Sequence, residues 1–348
     1  MLTAGGSHTC ALDRDGRIQC WGANDASQLG DGTTIDRTTP ATRVDLAPAN
    51  VVAAHDRFTC ALLRDLGVAC WGYAVDQRLG SVPADPDPPY GTSPVIVPNV
   101  RASDLSEGST GSQACALSGP FTYCWGGNSV GQLARGFLSP SEGAEAAIDG
   151  SRATPSQAAS GTGATCVIGF DGNLRCAGAS PGNGRDSATT VLTAVAGVSD
   201  AVGVGVGDGF GCVRLRNRGV RCWGRNDHGQ LGDGTFVERA EPRDVLEITG
   251  TYGLSVGARH ACVLADDSRL RCWGANDQGQ LGDGTPNDAA RPVTPVAGDV
   301  GNFAAGDAHT CASKPTGVVE CWGENSRGQL GDGTFTDSLL PVAVVGLP

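Results

Sequence analysis

The sequence predicts an all-β fold, a seven-bladed β-propeller of four-stranded antiparallel blades, and three observations carry the prediction. The 14 cysteines fall into seven couples, 53 glycines punctuate short apolar runs, and one unit of roughly 50 residues recurs seven times. A chain of 348 residues would ordinarily split into separate cores, whereas a repeat architecture spreads one core between neighbouring units. The reading is a single domain over 1–348. Its seven repeats are bounded near 1–46, 47–99, 100–155, 156–198, 199–248, 249–298 and 299–348.

The repeat is clearest in "AGGSHTCALDRDGRIQCWGANDASQLGDGT", "VGARHACVLADDSRLRCWGANDQGQLGDGT" and "AGDAHTCASKPTGVVECWGENSRGQLGDGT". Each unit opens on an inner strand, such as Val51 to Ala54 or Val202 to Val206. A second strand follows at "TCAL" and a third at "VRCWG". A fourth follows the "GQLGDGT" turn, at Pro292 to Val296 and at Pro341 to Val345. Four antiparallel strands per unit, seven times over, make a propeller. Gly203, Gly205 and Gly207 suit an inner strand, because blades crowd near the axis and leave little side-chain room. The chain begins at an inner strand and ends on a fourth strand, so the ring is expected to close where the N- and C-terminal strands meet.

Turn geometry assigns the cysteines. In "CALDRDGRIQC" a three-residue loop with Gly16 in the left-handed region sets Asp13 opposite Arg17 and Cys10 opposite Cys20. That is a non-hydrogen-bonded pair, whose Cα separation of about 4.5 Å lies in the disulfide range. The third unit is one residue shorter, yet a two-residue Gly119-Pro120 loop again places Cys115 opposite Cys124. The second and fifth units carry Gly67 and Gly219 one residue late, and the sixth has no glycine in the turn. Seven disulfides within blades are expected: Cys10–Cys20, Cys60–Cys70, Cys115–Cys124, Cys166–Cys176, Cys212–Cys222, Cys262–Cys272 and Cys311–Cys321. Reduced cysteines packed as small apolar residues are the alternative. Zinc is disfavoured, since no CxxC knuckle accompanies them. Disulfides imply an oxidising, extracytoplasmic compartment.

Composition excludes several functional classes. Lys plus Arg at 25 against Asp plus Glu at 37 leaves a net charge of −12 without a basic tail, which disfavours nucleic acid as a partner. No apolar run is long enough to span a bilayer, and the opening "MLTAGGSHTC" has no signal-peptide character. No cofactor or metal is expected, and a monomer is.

The "HTCAL...CWG.N..GQLGDGT" pattern resembles the regulator of chromosome condensation repeat family across the whole chain. The resemblance implies a seven-bladed propeller with a repeat of this length. It also brings the family's founding activity, nucleotide exchange on a small nuclear GTPase, into view as one alternative function. The acidic charge and paired cysteines point elsewhere, as in the secreted β-lactamase inhibitor proteins of the same propeller type.

The conspicuous residues have structural readings. Trp21, Trp71, Trp125, Trp223, Trp273 and Trp322 each follow the second cysteine of a unit and are expected between blades. His8, His260 and His309 share one repeat position, so they cannot converge on one substrate. His55 stands outside that position with no evident partner. Asp31, Asp233, Asp283 and Asp332 sit in the "GDG" turn, which explains them. "GNSVG" around Ser129 mimics a nucleophile elbow, but aligns with "RNDHG" in a sister unit and lacks a following helix. No catalytic set emerges, and the chain is read as a non-enzyme.

Units two to four break the repeat, and function is expected where regularity fails. Their loops leave one face of the ring, so Tyr73, Arg78, Tyr90, Phe137, Leu138 and Arg185 form a candidate contact patch of hot-spot residue types. The reading is an extracytoplasmic protein-interaction module that binds through one propeller face. An enzyme inhibitor, a lectin and an exchange factor are the alternatives.

Overall fold

The structure is a computed structural model that describes residues 1–42, 46–81, 88–147, 154–180, 182, 184, 187–248, 250–295 and 298–347. Strands β1 to β28 form seven four-stranded antiparallel sheets, and one 3-10 turn at Val75–Gln77 interrupts them. Blade 1 holds β1 (Leu2–Ala4), β2 (His8–Leu12), β3 (Ile18–Gly22) and β4 (Arg37–Thr42). Blade 2 holds β5 (Ala49–Ala54), β6 (Phe58–Leu63), β7 (Gly67–Tyr73) and β8 (Tyr90–Arg101). Blade 3 holds β9 (Asp104–Leu105), β10 (Gln113–Ser118), β11 (Phe121–Gly127) and β12 (Ser141–Ala146). Blade 4 follows with β13 (Pro155–Gly161), β14 (Ala164–Gly169), β15 (Leu174–Gly178) and β16 (Thr189–Ala194). Blade 5 has β17 (Ala201–Val206), β18 (Phe210–Leu215), β19 (Val220–Gly224) and β20 (Arg239–Asp244). Blade 6 has β21 (Thr251–Val256), β22 (His260–Ala265), β23 (Leu270–Gly274) and β24 (Ala289–Val293). Blade 7 ends the ring with β25 (Asn302–Ala305), β26 (His309–Ser313), β27 (Val319–Gly323) and β28 (Ser338–Ala343).

The outer strands start earlier than the sequence suggests, β24 at Ala289 rather than Pro292 and β28 at Ser338 rather than Pro341. A bulge is the reason. Cys272 and Gly274 pair with Val293 and Ala289, so four steps of the outer strand span two of its neighbour. Val296, the expected end of the sixth outer strand, lies outside the described residues.

All seven cysteine couples are disulfides, with Cα separations of 4.0 to 4.1 Å, and each joins directly opposed residues of the middle hairpin. In the first blade Gly16 has φ 85° and Asp13 N–H donates to Arg17 O, the expected three-residue turn. The three turns without a well-placed glycine keep the same geometry at a local cost. Leu66, Arg218 and Ser268 themselves occupy the left-handed region, with φ of 73°, 69° and 62°. Gly67 instead begins β7, opposite Arg101, and Gly219 stands just before β19, its carbonyl accepting from Leu215 N–H at 2.9 Å.

The ring closes by packing complete blades rather than by mixing terminal strands in one sheet. β1 stays in blade 1, β28 stays in blade 7, and the seam lies between them. Leu2 N–H donates to Asn302 Oδ1 at 2.8 Å, and Arg327 pairs with Asp36 at 2.6 Å across that seam. Trp21 and Leu330 share its apolar core with Leu2, Ala4 and Ala304.

Candidate functional site

Antiparallel order sends the connections between first and second strands, and between third and fourth, out of the same face of every blade. On this loop face the "CWG.N..GQLG" connection of one blade reaches the next and is held there by a repeated clasp. Gln28 O of blade 1 accepts from Thr59 Oγ1 at 2.9 Å and Trp71 Nε1 at 3.0 Å, both of blade 2. His8 Nε2 of blade 1 lies 2.9 Å from the same Thr59 hydroxyl. Because that hydroxyl donates to Gln28 O, it must accept from His8, which fixes the proton on Nε2. His260 clasps Thr310 and His309 clasps Thr9, each at 2.9 Å, so the same joint recurs between blades 6 and 7 and across the seam.

The six tryptophans are fully buried between blades, and each Nε1 donates to a carbonyl of the preceding blade where that partner is described. Burial holds the His8 and His260 imidazoles down at about 3 and His309 at about 4. These groups stay neutral and are committed to the scaffold. The "GDG" aspartates are also occupied. Asp31 Oδ1 accepts from Thr33 N at 3.0 Å and Thr33 Oγ1 at 2.7 Å, while Oδ2 pairs with Arg37 at 2.7 Å. Blade 3 inverts the charge at this position: buried Arg135 donates to Cys124 O at 2.6 Å and to Gly143 O at 3.3 Å. Its replacement of the repeat's aspartate was the available sequence signal.

The proposed contact residues divide into three groups. Tyr73 and Tyr90 face each other in the β7/β8 ladder, and the guanidinium groups of Arg57 and Arg78 lie 4.7 and 4.9 Å from the Tyr73 ring centroid. Arg78 is largely enclosed: it pairs with Asp56 at 3.1 Å, and its carbonyl accepts Trp125 Nε1 at 3.0 Å, the task Gln28 has in blade 1. Phe137 and Leu138 stand on the neighbouring loop of blade 3, 51% and 61% exposed. Arg185 lies outside the described residues.

Leu138 is less of an exception than its unit suggests. Asn128 Nδ2 donates to Phe137 O as Asn226 Nδ2 donates to Thr235 O, which aligns Leu138 with Phe236 and, in blade 7, with Phe335. All three are more than half exposed, at 61%, 56% and 57%. Sequence reasoning overlooked Phe236 and Phe335 because it sought function in irregular units.

Two carboxyl groups stand apart from these networks. Asp307 occupies the short loop between β25 and β26, its Oδ1 without a partner among the described residues. Burial, then the negative charges of Asp56, Glu324 and Asp208, push it up to about 7. Glu107 projects into the central channel. Protein walls and then Asp104 raise it to about 7, although water still reaches its side chain. His55 is buried against Phe58, ring centroids 4.5 Å apart, and is held down at about 3 by burial.

Fold and face define the class of protein, a seven-bladed β-propeller with one disulfide stapling each blade. Within residues 2–28 and 201–329 the chain carries regulator of chromosome condensation (RCC1) repeats. One repeat model matches residues 2–28, 201–230, 253–280 and 302–329, and a second matches 220–264 and 267–313. No curated protein matches in sequence. Among solved structures, Prp20p from Saccharomyces cerevisiae superposes with a TM-score of 0.85 at 19% identity, covering 97% of this chain and 88% of its own. Human WBSCR16 gives 0.83 at 21% identity, with 95% of each chain covered. A structure of yeast RCC1 (Prp20) with Kap60 bound gives 0.84 at 18% identity, over 96% of this chain and 85% of that one.

Proposed function

We propose that this chain is a non-enzymatic protein-interaction module of an oxidising, extracytoplasmic setting, which engages its partner through the loop face. The observation that carries the reading is the set of exposed apolar side chains at equivalent loop positions, Leu138, Phe236 and Phe335, on a ring that cannot easily deform. Rigid presentation of apolar anchors lowers the entropy cost of docking. Tyr73, Tyr90 and Phe137 extend this surface over blades 2 and 3. Conserving side-chain roles also favours a binding protein: His8, His260 and His309 are spent on joints between blades rather than held free for chemistry. The seven disulfides favour the oxidising compartment. Structures of the same fold have been solved for proteins with partners of their own, Gsp1p and histones for Prp20p and Kap60 for yeast RCC1, which accords with a protein partner here.

The test is capture of partners on the immobilised propeller under oxidising conditions, followed by affinity measurement with Phe236→Ala, Tyr90→Ala and Phe137→Ala. At least one substitution is expected to weaken a captured partner about tenfold or more. Unchanged affinity in all three, or crosslinks mapping to the opposite face, overturns the reading. Glycan-array binding abolished by free sugar would favour a lectin instead.

A further inference from the structure

The central channel contains a cavity of about 210 Å³, walled by inner strands β1, β17, β21 and β25 and by residues 107 to 109 of blade 3. Glu107 is the one ionisable side chain among the described residues of its lining. Met1 also lines it, its terminal ammonium donating to Leu12 O at 3.0 Å; beyond these, Thr3, Ser109, Ser255 and Asn302 supply hydroxyl and amide groups, while Leu254, Val256 and Phe303 supply apolar surface.

The carboxylate is placed there by a departure from the blade plan. After Leu105 the chain stays beside β10 for one residue more, with Ser106 N–H donating to Cys115 O at 2.8 Å. It then leaves the sheet and bridges the inner strand of blade 4 in parallel. Glu107 N–H donates to Ala158 O at 3.3 Å, and Ser160 N–H donates to Glu107 O at 2.7 Å. The next residue must be glycine, because a Cβ on Gly108 would collide with the Ser160 carbonyl. Two backbone bonds and a close glycine contact therefore fix a segment that breaks its own strand and turns an acid into the channel.

A second observation points to a ligand. Ser109 is 1% exposed and lines the same cavity, and its hydroxyl has no hydrogen-bond partner among the described residues. Thr3 Oγ1 and Ser255 Oγ, in contrast, already accept from Ala54 N–H and Ala305 N–H, and each retains a proton to donate. The cavity thus offers one carboxyl group and an apolar wall with an unsatisfied hydroxyl buried beside it, and among the described residues its lining holds no positively charged side chain, the Met1 ammonium being engaged with Leu12 O.

We infer that the channel is a binding site for an alkylammonium group, its charge on Glu107, one N–H shared with Ser109 Oγ, and its alkyl stem along Leu254, Val256 and Phe303. A free amine and a lysine side chain presented by another protein have this same chemistry. The cavity lies on the axis, apart from the Phe236 and Phe335 loops, so the inference stands independently of the partner reading.

The test is calorimetric titration at low ionic strength with n-butylamine, n-butanol and a terminally blocked Gly-Lys-Gly peptide, on wild type, Glu107→Gln and Ser109→Ala. Expected are binding of butylammonium, none of butanol, at least a tenfold loss in Glu107→Gln and a smaller loss in Ser109→Ala. Peptide binding would extend the site to lysine side chains, and binding of the amine alone would restrict it to small amines, each supporting the assignment. Equal binding by wild type and Glu107→Gln, or equal binding of butanol, overturns it, as does failure of the amine to bind folded wild type. Retained disulfides and an unchanged far-ultraviolet spectrum identify folded variants. A ¹³C shift of the Glu107 carboxyl on adding amine is the parallel readout, and its absence also counts against the site.

Discussion

Acidification from pH 7 to pH 5 should cost this propeller at least roughly a third of an ordinary domain's stability, because four of its five histidines are buried in the neutral form. Imidazoles titrate near 6.5 in an unfolded chain. In the folded one the values are about 3 for His8, His55 and His260 and about 4 for His309. Above the unfolded value both states are neutral and the contribution is complete. As pH falls toward the folded values, only the unfolded chain takes up protons, so stability is lost with falling pH.

Between pH 7 and pH 5 each imidazole withdraws about 2 kcal/mol by linkage, or about 8 kcal/mol for four. Asp307 acts in the opposite sense. Its folded value is raised to about 7, so its contribution is lost as pH rises through that value and recovers as pH falls, returning about 2 kcal/mol over the same range. Glu107 has the same sign as Asp307, but its water-exposed carboxylate is screened and returns less. The net expected loss is about 5 kcal/mol, against the 5 to 15 kcal/mol typical of a folded domain. The assay is guanidinium denaturation at the two pH values, with disulfides intact. His260→Gln should reduce the pH dependence by about 2 kcal/mol. Glutamine has a precedent at this repeat position, since Gln113 Nε2 reaches Gly161 O at 2.8 Å and Thr165 Oγ1 at 3.5 Å across a blade joint. A midpoint that does not move with pH, or a variant that titrates as wild type does, would refute the reasoning.

Four further outcomes are expected. Replacing Cys115 and Cys124 together by serine should lower stability by about 2.7 kcal/mol, the chain-entropy value for so short a loop, measured by denaturant midpoint. Under native conditions dithiothreitol should reduce the wild-type disulfides only at the rate of blade opening, since the cysteines are 0 to 2% exposed; intact mass, rising by about two hydrogens per pair, follows it. Leu66→Gly should raise stability by about 0.5 kcal/mol, relief of the left-handed strain outweighing the added backbone freedom, and a lowered melting temperature would count against that account. Thr310→Val removes both the acceptor for His260 and the donor to Gln280 O, and should cost about 1 to 3 kcal/mol in the same denaturation assay.

The cysteine pairing was legible because it depends on a few neighbouring residues. A turn of known length puts Cys10 opposite Cys20 whatever the rest of the chain does. The same local logic makes Gly16 left-handed, and it falls short at Leu66, Arg218 and Ser268, where the disulfide and both strands hold a residue in a region it would avoid alone. The clasps were half legible. His8, His260 and His309 were recognisable as repeated, structural residues, but their threonine partners come from other blades, 51, 50 and 300 residues away in sequence. The contact patch was less legible still. Arg78 reads as a free arginine until its carbonyl is found beneath Trp125, and Phe236 reads as repeat background until its exposure is seen.

By itself the sequence determined the ring: the number of blades, the four strands of each, the seven staples and the burial of the tryptophans. All follow from interactions within one repeat or between identical neighbours, so periodicity is sufficient information. Tertiary structure alone decided that the ring closes by packing complete blades, which hydroxyl each histidine meets, and that Glu107 leaves its blade to enter the channel. Those outcomes depend on distances between residues far apart in the chain and on how tightly inner strands crowd the axis, and no local pattern encodes either.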